Sequence, residues 1–136
     1  MPAFGKASRE RLATCHIDLQ KIFNRVIRFF DCVIIEGHRA KELQNLYYEQ
    51  KKSKLKWPQG KHNSIPSKAV DAMPYPIDWK DSMRMAYFAG FVMATAREMR
   101  DRGEISHGLR WGHDWDGDTD LRNQAFTDGP HYELIE

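Results

Sequence analysis

The sequence predicts an α+β protein in which three main helices pack on a small, mainly antiparallel sheet. Long segments carry apolar residues at three- and four-residue intervals, the pattern of helices with one buried face. Four shorter runs are rich in β-branched or alternating apolar residues and are bounded by Gly, Pro or Asp, which is typical of strands. Because 136 residues provide for one hydrophobic core, residues 1–136 are expected to form a single domain.

The first helical segment extends from Ser8 to Phe30, and its apolar stripe consists of Leu12, Leu19, Ile22, Phe23, Val26, Ile27 and Phe30. Ser8 is the expected N-cap, because its hydroxyl can accept a hydrogen bond from a free N–H of the first turn. We expect a break near His16, since Asp18 would then stand in the favourable first turn of a new helix. The β-branched run Cys32 to Ile35 predicts a buried strand.

A third helix is expected from Ala40 to Gln50, with one side formed by Leu43, Leu46 and Tyr47. It should continue into the basic stretch Lys51 to Lys56, until the following Trp-Pro pair stops it. The polar residues 60–68 contain Pro66, which excludes a regular helix.

The second half of the chain begins with a short expected strand, Ala69 to Met73. The strongest helix then extends from Met83 to Arg102, with Asp81 or Ser82 as its cap and Gly103 as its end.

Two further strands are expected, Leu109 to Trp111 and His131 to Ile135, separated by an Asp-rich loop at 112–127 and a tight turn. Helices and strands together predict the α+β class.

Composition excludes several classes of protein. The charged fraction of 29% and the hydrophobic fraction of 41% are those of a globular chain. The longest uncharged stretch of the second half, Met85 to Ala96, is shorter than the about 20 residues that cross a bilayer, so no membrane insertion is expected. A net charge of +2 does not establish nucleic-acid binding. Cys15 and Cys32 are too few for a disulfide framework and are expected to be buried thiols.

The side chains best suited to metal binding or catalysis are those of His62, Asp71 and His131, which each lie on or beside an expected strand. Two imidazoles and a carboxylate are a suitable ligand set for a catalytic zinc ion, with the fourth position left to water. Eight residues separate His62 from Asp71, which matches no helical or knuckle motif. Each residue alone could equally be an ordinary surface or turn residue.

Three neighbours could complete such a site. Asp128 precedes His131 through a Gly-Pro turn and could act as a general base, although Asp-Gly is also a common turn pair. Glu133 shares a strand face with His131, so it could orient that ring or serve as an alternative base. Arg39 could hold a carboxylate or a developing oxyanion, or could simply be a surface residue.

The Asp-rich loop carries carboxylates at alternate positions: Asp114, Asp116, Asp118 and Asp120. An EF-hand requires Gly at its sixth position and Glu at its twelfth, but this loop has Thr119 and Ala125 there. A degenerate calcium site and a solvated acidic loop both remain open, because clustered carboxylates repel one another without a cation.

Six motifs, taken in order, resemble a known family: Gly37-His38-Arg39, Lys61-His62, Ser67-Lys68-Ala69-Val70-Asp71, Pro76-Ile77-Asp78-Trp79, Trp111-Gly112-His113-Asp114-Trp115 and Asp128-Gly129-Pro130-His131-Tyr132-Glu133-Leu134. They are similar to the bacteriophage endolysins that are L-alanyl-D-glutamate peptidases, which belong with the VanY-type D-alanyl-D-alanine carboxypeptidases. The resemblance covers residues from about 8 to 136 and implies a DD-peptidase or hedgehog-like fold.

The resemblance implies a zinc peptidase in which His62, Asp71 and His131 hold the metal, Asp128 is general base and then acid, and Arg39 polarises the substrate carbonyl. It also implies that the Trp111-Gly112 segment lines the cleft, and that a calcium-responsive loop can lie at the Asp-rich segment.

Two departures from the family pattern occur beside His62. Gly60 stands where the family has a serine, and the interval from His62 to Asp71 is two residues longer than usual. These differences affect a hydrogen bond beside the ligand and the local substrate contacts. His113 is an additional potential ligand that the motif does not require.

We therefore expect a zinc-dependent endolysin that cleaves the L-Ala-D-Glu bond of the peptidoglycan stem. Without a visible secretory signal, it would stay in the host bacterial cytoplasm until a holin releases it to the wall. It is expected to act as a monomer, on peptidoglycan and not on nucleic acid.

Three alternatives remain open. A D-alanyl-D-alanine carboxypeptidase needs the same metal centre. A metal-dependent nuclease would use Lys51, Lys52, Lys54 and Lys56 on phosphates. A non-catalytic wall-binding module would fill the fourth metal position with protein, and His113 is the candidate.

Overall fold

The computed structural model describes residues 2–124 and 126–136. Met1 lies outside this range, as does Ala125, the twelfth position of the calcium-loop count. Within the described residues the helices are α1 Lys6–Leu12, α2 Ile17–Val26, α3 Lys41–Glu49 and α4 Ser82–Asp101, with a short 3₁₀ turn at Lys61–Asn63. The strands are β1 Cys32–Glu36, β2 Ala69–Pro74, β3 Gly108–Trp111 and β4 His131–Ile135. The predicted α+β class is confirmed.

The four strands form one sheet in the order β1-β2-β4-β3, and every pair is antiparallel. Because side chains alternate along a strand, the sheet has two chemically different faces. One face is apolar and belongs to the hydrophobic core together with α2 and α4; it presents Cys32, Ile34, Val70, Ala72, Leu109, Trp111, Tyr132 and Leu134. The opposite face carries Asp71, Arg110, His131 and Glu133, and with them the candidate site.

The first helical segment breaks as predicted, into α1 and α2. The ring of His16 caps α2 by accepting a hydrogen bond at Nδ1 from the Asp18 N–H, at 3.0 Å. Asp18 lies in the first turn and is buried, and its carboxylate accepts hydrogen bonds from Ser106 and His107. The carboxylate therefore joins the start of α2 to the loop before β3.

Helix α4 has the boundaries that its flanking residues predict. Asp81 is the N-cap, and its side chain accepts a hydrogen bond from the Arg84 N–H. Gly103 follows the helix with φ of +75°, a conformation that glycine adopts without a steric penalty.

The prediction that Ser8 caps the first helix is wrong. Helix α1 already begins at Lys6, and Gly5 is its N-cap. Ser8 is buried, and its hydroxyl accepts a hydrogen bond from the Ile34 N–H at 3.1 Å. Ser8 therefore pairs a backbone donor of strand β1, which a local sequence pattern could not indicate.

The prediction that the third helix continues into the basic stretch is also wrong. Helix α3 ends at Glu49, and Lys51 has a left-handed φ of 61°. Lys51 N–H donates to the Tyr48 carbonyl and Lys52 N–H donates to the Tyr47 carbonyl. This pair of hydrogen bonds is a Schellman motif, which usually has glycine at the left-handed position. With lysine there, the sequence contains no signal for the end of the helix.

Cys15 and Cys32 are free and buried, as expected. No helix within residues 2–124 and 126–136 has the length and apolar character needed to cross a membrane.

Candidate metal centre

The register of the sheet places polar side chains of β1, β2 and β4 next to one another. Asp71 of β2 is directly opposite His131 of β4, and Glu36 of β1 is opposite Asp71. The register of β1 shifts between Ile34 and Glu36, so that Glu36 becomes the neighbour of Asp71. An extra residue in one strand is a β-bulge, which redirects the following side chain. Three polar side chains thus lie in one row across three strands.

His62 reaches this row from the 3₁₀ turn before β2. Its Nε2 lies 3.1 Å from Asp71 Oδ1 and 3.3 Å from His131 Nδ1, and His131 Nδ1 lies 3.2 Å from Asp71 Oδ1. The structure therefore brings together the three side chains that the sequence analysis selected. They form a nearly equilateral triangle of nitrogen and oxygen atoms.

The second nitrogen of each ring is engaged outside the triangle. His62 Nδ1 lies 2.7 Å from the Gly37 carbonyl, which can only accept, so this nitrogen carries the proton. His131 Nε2 lies 2.8 Å from the Glu133 carboxylate, to which it donates. In the neutral rings the nitrogens inside the triangle then present lone pairs, next to a carboxylate oxygen. Three electron-pair donors that face one point are suited to a cation.

The spacing of the triangle also fits zinc. Zn–N and Zn–O bonds of about 2.0 Å in tetrahedral geometry place neighbouring donors about 3.3 Å apart, and the observed separations are 3.1 to 3.3 Å. The donor set and its spacing are therefore compatible with a zinc ion that keeps one position open.

Electrostatics favour negative charge on both carboxylates of the site. Burial alone would raise the pKa of Asp71, but the charge of His62 and hydrogen bonds from both rings hold it far below its ordinary value. Burial would likewise raise the pKa of Glu133, yet hydrogen bonds from His131 and Arg110 lower it to about 2. For His131, burial lowers the pKa, and the bonds to Asp71 and Glu133 outweigh it and raise the value to about 9. A cation in the triangle would bind the neutral ring and displace this proton.

Glu133 is held from two sides. Its Oε2 accepts a hydrogen bond from Arg110 at 2.6 Å, and it lies 3.3 Å from the Lys61 ammonium. Arg110 pairs with Glu133 in the register of β3 and β4. The carboxylate is therefore fixed in the orientation that accepts the hydrogen bond from His131 Nε2.

Arg39 is buried beside the triangle, rather than on the surface. Its Nε and Nη2 donate to the two carboxylate oxygens of Glu36, at 2.8 and 3.1 Å, and Nη2 lies 3.7 Å from Asp71 Oδ2. Its Nη1 donates to the Gln44 side-chain oxygen at 2.9 Å. Burial would lower the pKa of Arg39, but Glu36 raises it, so the guanidinium stays charged at the edge of the cleft.

Asp128 lines the same cleft as the triangle and is half-buried. Burial raises the pKa of its carboxyl, and the nearby charge of Asp71 raises it further. Its position depends on Gly112, because a Cβ atom there would collide with the Asp128 carbonyl. The indole N–H of Trp111 donates to the Gly129 carbonyl at 2.6 Å and also holds this turn.

The sequence analysis expected Trp111 and His113 at the site, and the structure puts both elsewhere. Trp111 is 6% exposed and belongs to the core. The ring of His113 lies against Trp111, with centroids 5.3 Å apart. Among the described residues, the donor group of the triangle contains only His62, Asp71 and His131.

Several cleft residues were not predicted. The cleft has a volume of about 540 Å³, and its aromatic walls are Tyr47, Trp79, Trp115 and Phe126. Gln44 is 1% exposed and accepts hydrogen bonds at Oε1 from Arg39 and from Asn63. A glutamine on an amphipathic helix gives no sequence signal that it is buried, so the burial of Gln44 could not be predicted.

Gly60, in place of the family serine, is accommodated by this network. Its N–H donates to Asn63 Oδ1 at 2.9 Å. A Cβ atom on Gly60 would lie 2.8 Å from the same Oδ1 and 3.2 Å from Gln44 Oε1. Side chains of Asn63 and Gln44 thus fill the space beside His62.

The acidic loop brings Asp114, Asp116 and Asp118 within reach of one another, with candidate donor atoms inside 4.8 Å. Asp120 is engaged by Arg122, whose Nε lies 3.0 Å from its carboxylate. Burial raises the pKa of Asp114, and the neighbouring carboxylates add to this. Asp116 and Asp118 are exposed and Asp114 is half-buried, and none of the three lines the cleft that contains the triangle.

The chain is similar to known proteins over nearly its whole length. The model of the family described as phage L-alanyl-D-glutamate peptidase matches residues 2–135. The chain is 33% identical over 142 residues to the L-alanyl-D-glutamate peptidase of Escherichia phage T5, covering 97% of each chain. Its fold is similar to the crystal structure of the L-Ala D-Glu endopeptidase ChiX of Serratia marcescens, with a TM-score of 0.73, 24% identity, and coverage of 98% of this chain and 91% of that one. With a match over nearly its whole length, the chain belongs to the phage L-alanyl-D-glutamate peptidase family.

Proposed function

We propose that this chain is a zinc-dependent peptidoglycan hydrolase that cleaves the bond between L-alanine and D-glutamate in the peptide stem. The observation that carries the proposal is the triangle of His62 Nε2, Asp71 Oδ1 and His131 Nδ1, with donors 3.1 to 3.3 Å apart in a cleft that also contains Asp128. Membership of the family supports the choice of bond.

His62, Asp71 and His131 would hold the zinc ion, which supplies a Lewis acid for the carbonyl and lowers the pKa of water to about 7. Asp128 takes the proton of the attacking water and passes it to the leaving amine. Its raised pKa suits both steps, because the carboxyl holds a proton more readily than an exposed aspartate does.

The remaining residues keep this arrangement fixed. Glu133, held by Arg110 and Lys61, sets the orientation and tautomer of His131. Arg39 places a positive charge at the edge of the cleft, where it can stabilise the oxyanion that forms on the substrate carbonyl. Its bidentate bond to Glu36 prevents it from swinging away.

The decisive experiment is mass spectrometry of muropeptides digested by the purified protein, with and without a chelator. The proposal predicts new fragments with L-Ala at the C-terminus and new fragments with D-Glu at the N-terminus. Both should disappear after chelation and return on addition of zinc. Loss of terminal D-Ala would instead establish a D-alanyl-D-alanine carboxypeptidase. Binding to cell walls without cleavage would establish a wall-binding module, and steeply salt-dependent binding to nucleic acid would favour a nuclease.

Partners and location follow from this function as proposals. Residues 1–136 would act as one catalytic domain, as a monomer, on peptidoglycan. In an infected cell the protein would remain in the host cytoplasm until a holin releases it to the wall. Sedimentation and fractionation of infected cells test these two statements.

We also propose, as a separate matter, that the acidic loop takes calcium through Asp114, Asp116 and Asp118. Trp115 lies within the loop, so terbium, a substitute for calcium, should show luminescence sensitised by that indole. Asp116→Asn together with Asp118→Asn should abolish the signal and leave zinc binding unchanged. Equal luminescence in this variant would remove the calcium proposal.

A further inference from the structure

Two lysines of the basic stretch that follows α3 are part of the cleft. Lys52 and Lys54 line the cleft, whereas Lys56 points to a different surface, where its ammonium lies 4.9 Å from the centre of the Tyr48 ring. Lys54 also reaches across the cleft, and its ammonium lies 4.8 Å from the centre of the Phe126 ring. Lys54 therefore joins the α3 side of the cleft to the loop on the opposite side.

The backbone around Lys54 is fixed by a buried amide. Gln44 Nε2 donates to the Ser53 hydroxyl at 2.9 Å and also to the Leu55 carbonyl, on either side of Lys54. The oxygen of the same amide accepts a hydrogen bond from Arg39. The position of Lys54 is thus tied to the position of the guanidinium beside the metal site.

The charge of Lys54 is available to a ligand. Within residues 2–124 and 126–136, no carboxylate lies within ion-pair distance of Lys52 or Lys54. Three of the cleft carboxylates are already paired: Glu36 with Arg39, Asp71 with His62 and His131, and Glu133 with Arg110. Lys52 and Lys54 therefore bring to the cleft positive charges that no carboxylate of the described residues pairs with.

The proposed substrate carries a matching negative charge. A glutamate residue has two carboxyl groups, and only one of them can form the onward peptide bond, so the other remains a free carboxylate unless it is amidated. In an L-alanyl-D-glutamate substrate that carboxylate belongs to the residue immediately after the scissile bond. It must therefore lie close to the metal site when the bond is positioned for cleavage.

We propose that Lys54 is a specificity-determining residue that binds the free carboxylate of the D-glutamate residue next to the scissile bond. This inference rests on the proposed function and adds the group that selects the acidic substrate. Lys54 binds substrate and takes no part in the chemical step, so its removal should raise KM more than it lowers kcat.

The test compares two synthetic peptides that differ in one group, the free carboxylate of D-glutamate or its primary amide. The wild-type protein should cleave the acid with a kcat/KM about 5-fold higher than that for the amide, the upper range expected for one exposed charge pair. Lys54→Gln should bring this ratio close to one, mainly through KM on the acid, and should leave cleavage of the amide within about twofold of wild type. Lys56→Gln, a matched lysine outside the cleft, should keep the wild-type ratio.

Reversal of the charge at residue 54 provides an independent test. Lys54→Glu should cleave the amide better than the acid, while circular dichroism and zinc content remain those of the wild type. Equal wild-type rates on the two peptides, or an unchanged ratio in Lys54→Gln, would overturn the role of Lys54 and leave the peptidase itself intact. Failure of the wild type to cleave either peptide would overturn the proposed function, and this inference with it.

Discussion

Glu133 Oε1 lies 2.8 Å from His131 Nε2, two positions away on the same strand. Because side chains at alternate positions share a face, β4 supplies both a candidate metal ligand and the carboxylate that orients it. The pKa of Glu133 is lowered to about 2, so the acceptor is ionised at neutral pH. The ring of His131 is therefore held with its Nδ1 toward the metal site.

Glu133→Gln should weaken zinc binding by about 10- to 100-fold, the usual cost of losing a carboxylate behind a histidine ligand. Competition with a chromophoric chelator measures this affinity. Glu98→Gln is a suitable control, because Glu98 forms an exposed ion pair with Arg102 on α4. Equal zinc affinity in Glu133→Gln and in the control would contradict the assigned role.

Asp128→Ala should keep the fold and the zinc but lower kcat by about 10²- to 10⁴-fold, because a positioned general base contributes that much. Metal analysis and muropeptide digestion measure the two properties. Since the base must be ionised and the pKa of Asp128 is raised above its ordinary 3.8, activity should fall with decreasing pH through a value above 3.8. Full activity in Asp128→Ala would remove this residue from the mechanism.

Gly60→Ala should lower the free energy of unfolding by about 1 to 3 kcal/mol, because its Cβ would lie 2.8 Å from Asn63 Oδ1 and force the network beside His62 to move. Gly90→Ala is the matched control: its Cβ would meet no atom within 4 Å, and it lies in α4. Alanine there should raise the free energy of unfolding by about 0.5 to 1 kcal/mol. Urea unfolding compares the two, and a stabilised Gly60→Ala would contradict the packing described.

Asp18→Asn should destabilise the protein at pH 7 by about 1 to 3 kcal/mol, because the buried carboxylate accepts hydrogen bonds from Ser106 and His107. Burial would raise the pKa of Asp18, but these hydrogen bonds lower it below 3.8. A lowered folded-state pKa contributes stability above pH 3.8, and this contribution is lost as pH falls through the folded value. The difference from wild type should therefore shrink below pH 3.8 in urea unfolding, and a constant difference would contradict this account.

Sequence patterns predicted the elements in which one local signal dominates. Helix α4 has a long apolar stripe between an Asp cap and a terminal glycine, and β4 alternates over its whole length, so both were predicted closely. Ser8 and Lys51 were misjudged, since one serves a distant strand and the other takes a conformation typical of glycine.

The candidate site shows the same division. His62, Asp71 and His131 were selected by residue type and by their places beside strands. The bulge that turns Glu36 toward Asp71 depends on strand pairing, and the burial of Gln44 depends on tertiary packing. Trp111 and Trp115 are four residues apart, and only the register of β3 decides which of them enters the core.

The amide of Gln44 joins the guanidinium of Arg39 to the backbone on both sides of Lys54. Residue 54 can therefore change its charge without altering that scaffold, whereas a change at residue 44 would disturb the positions of both Arg39 and Lys54. A new charge preference for the substrate would therefore be obtained more readily by substitution at residue 54 than at residue 44.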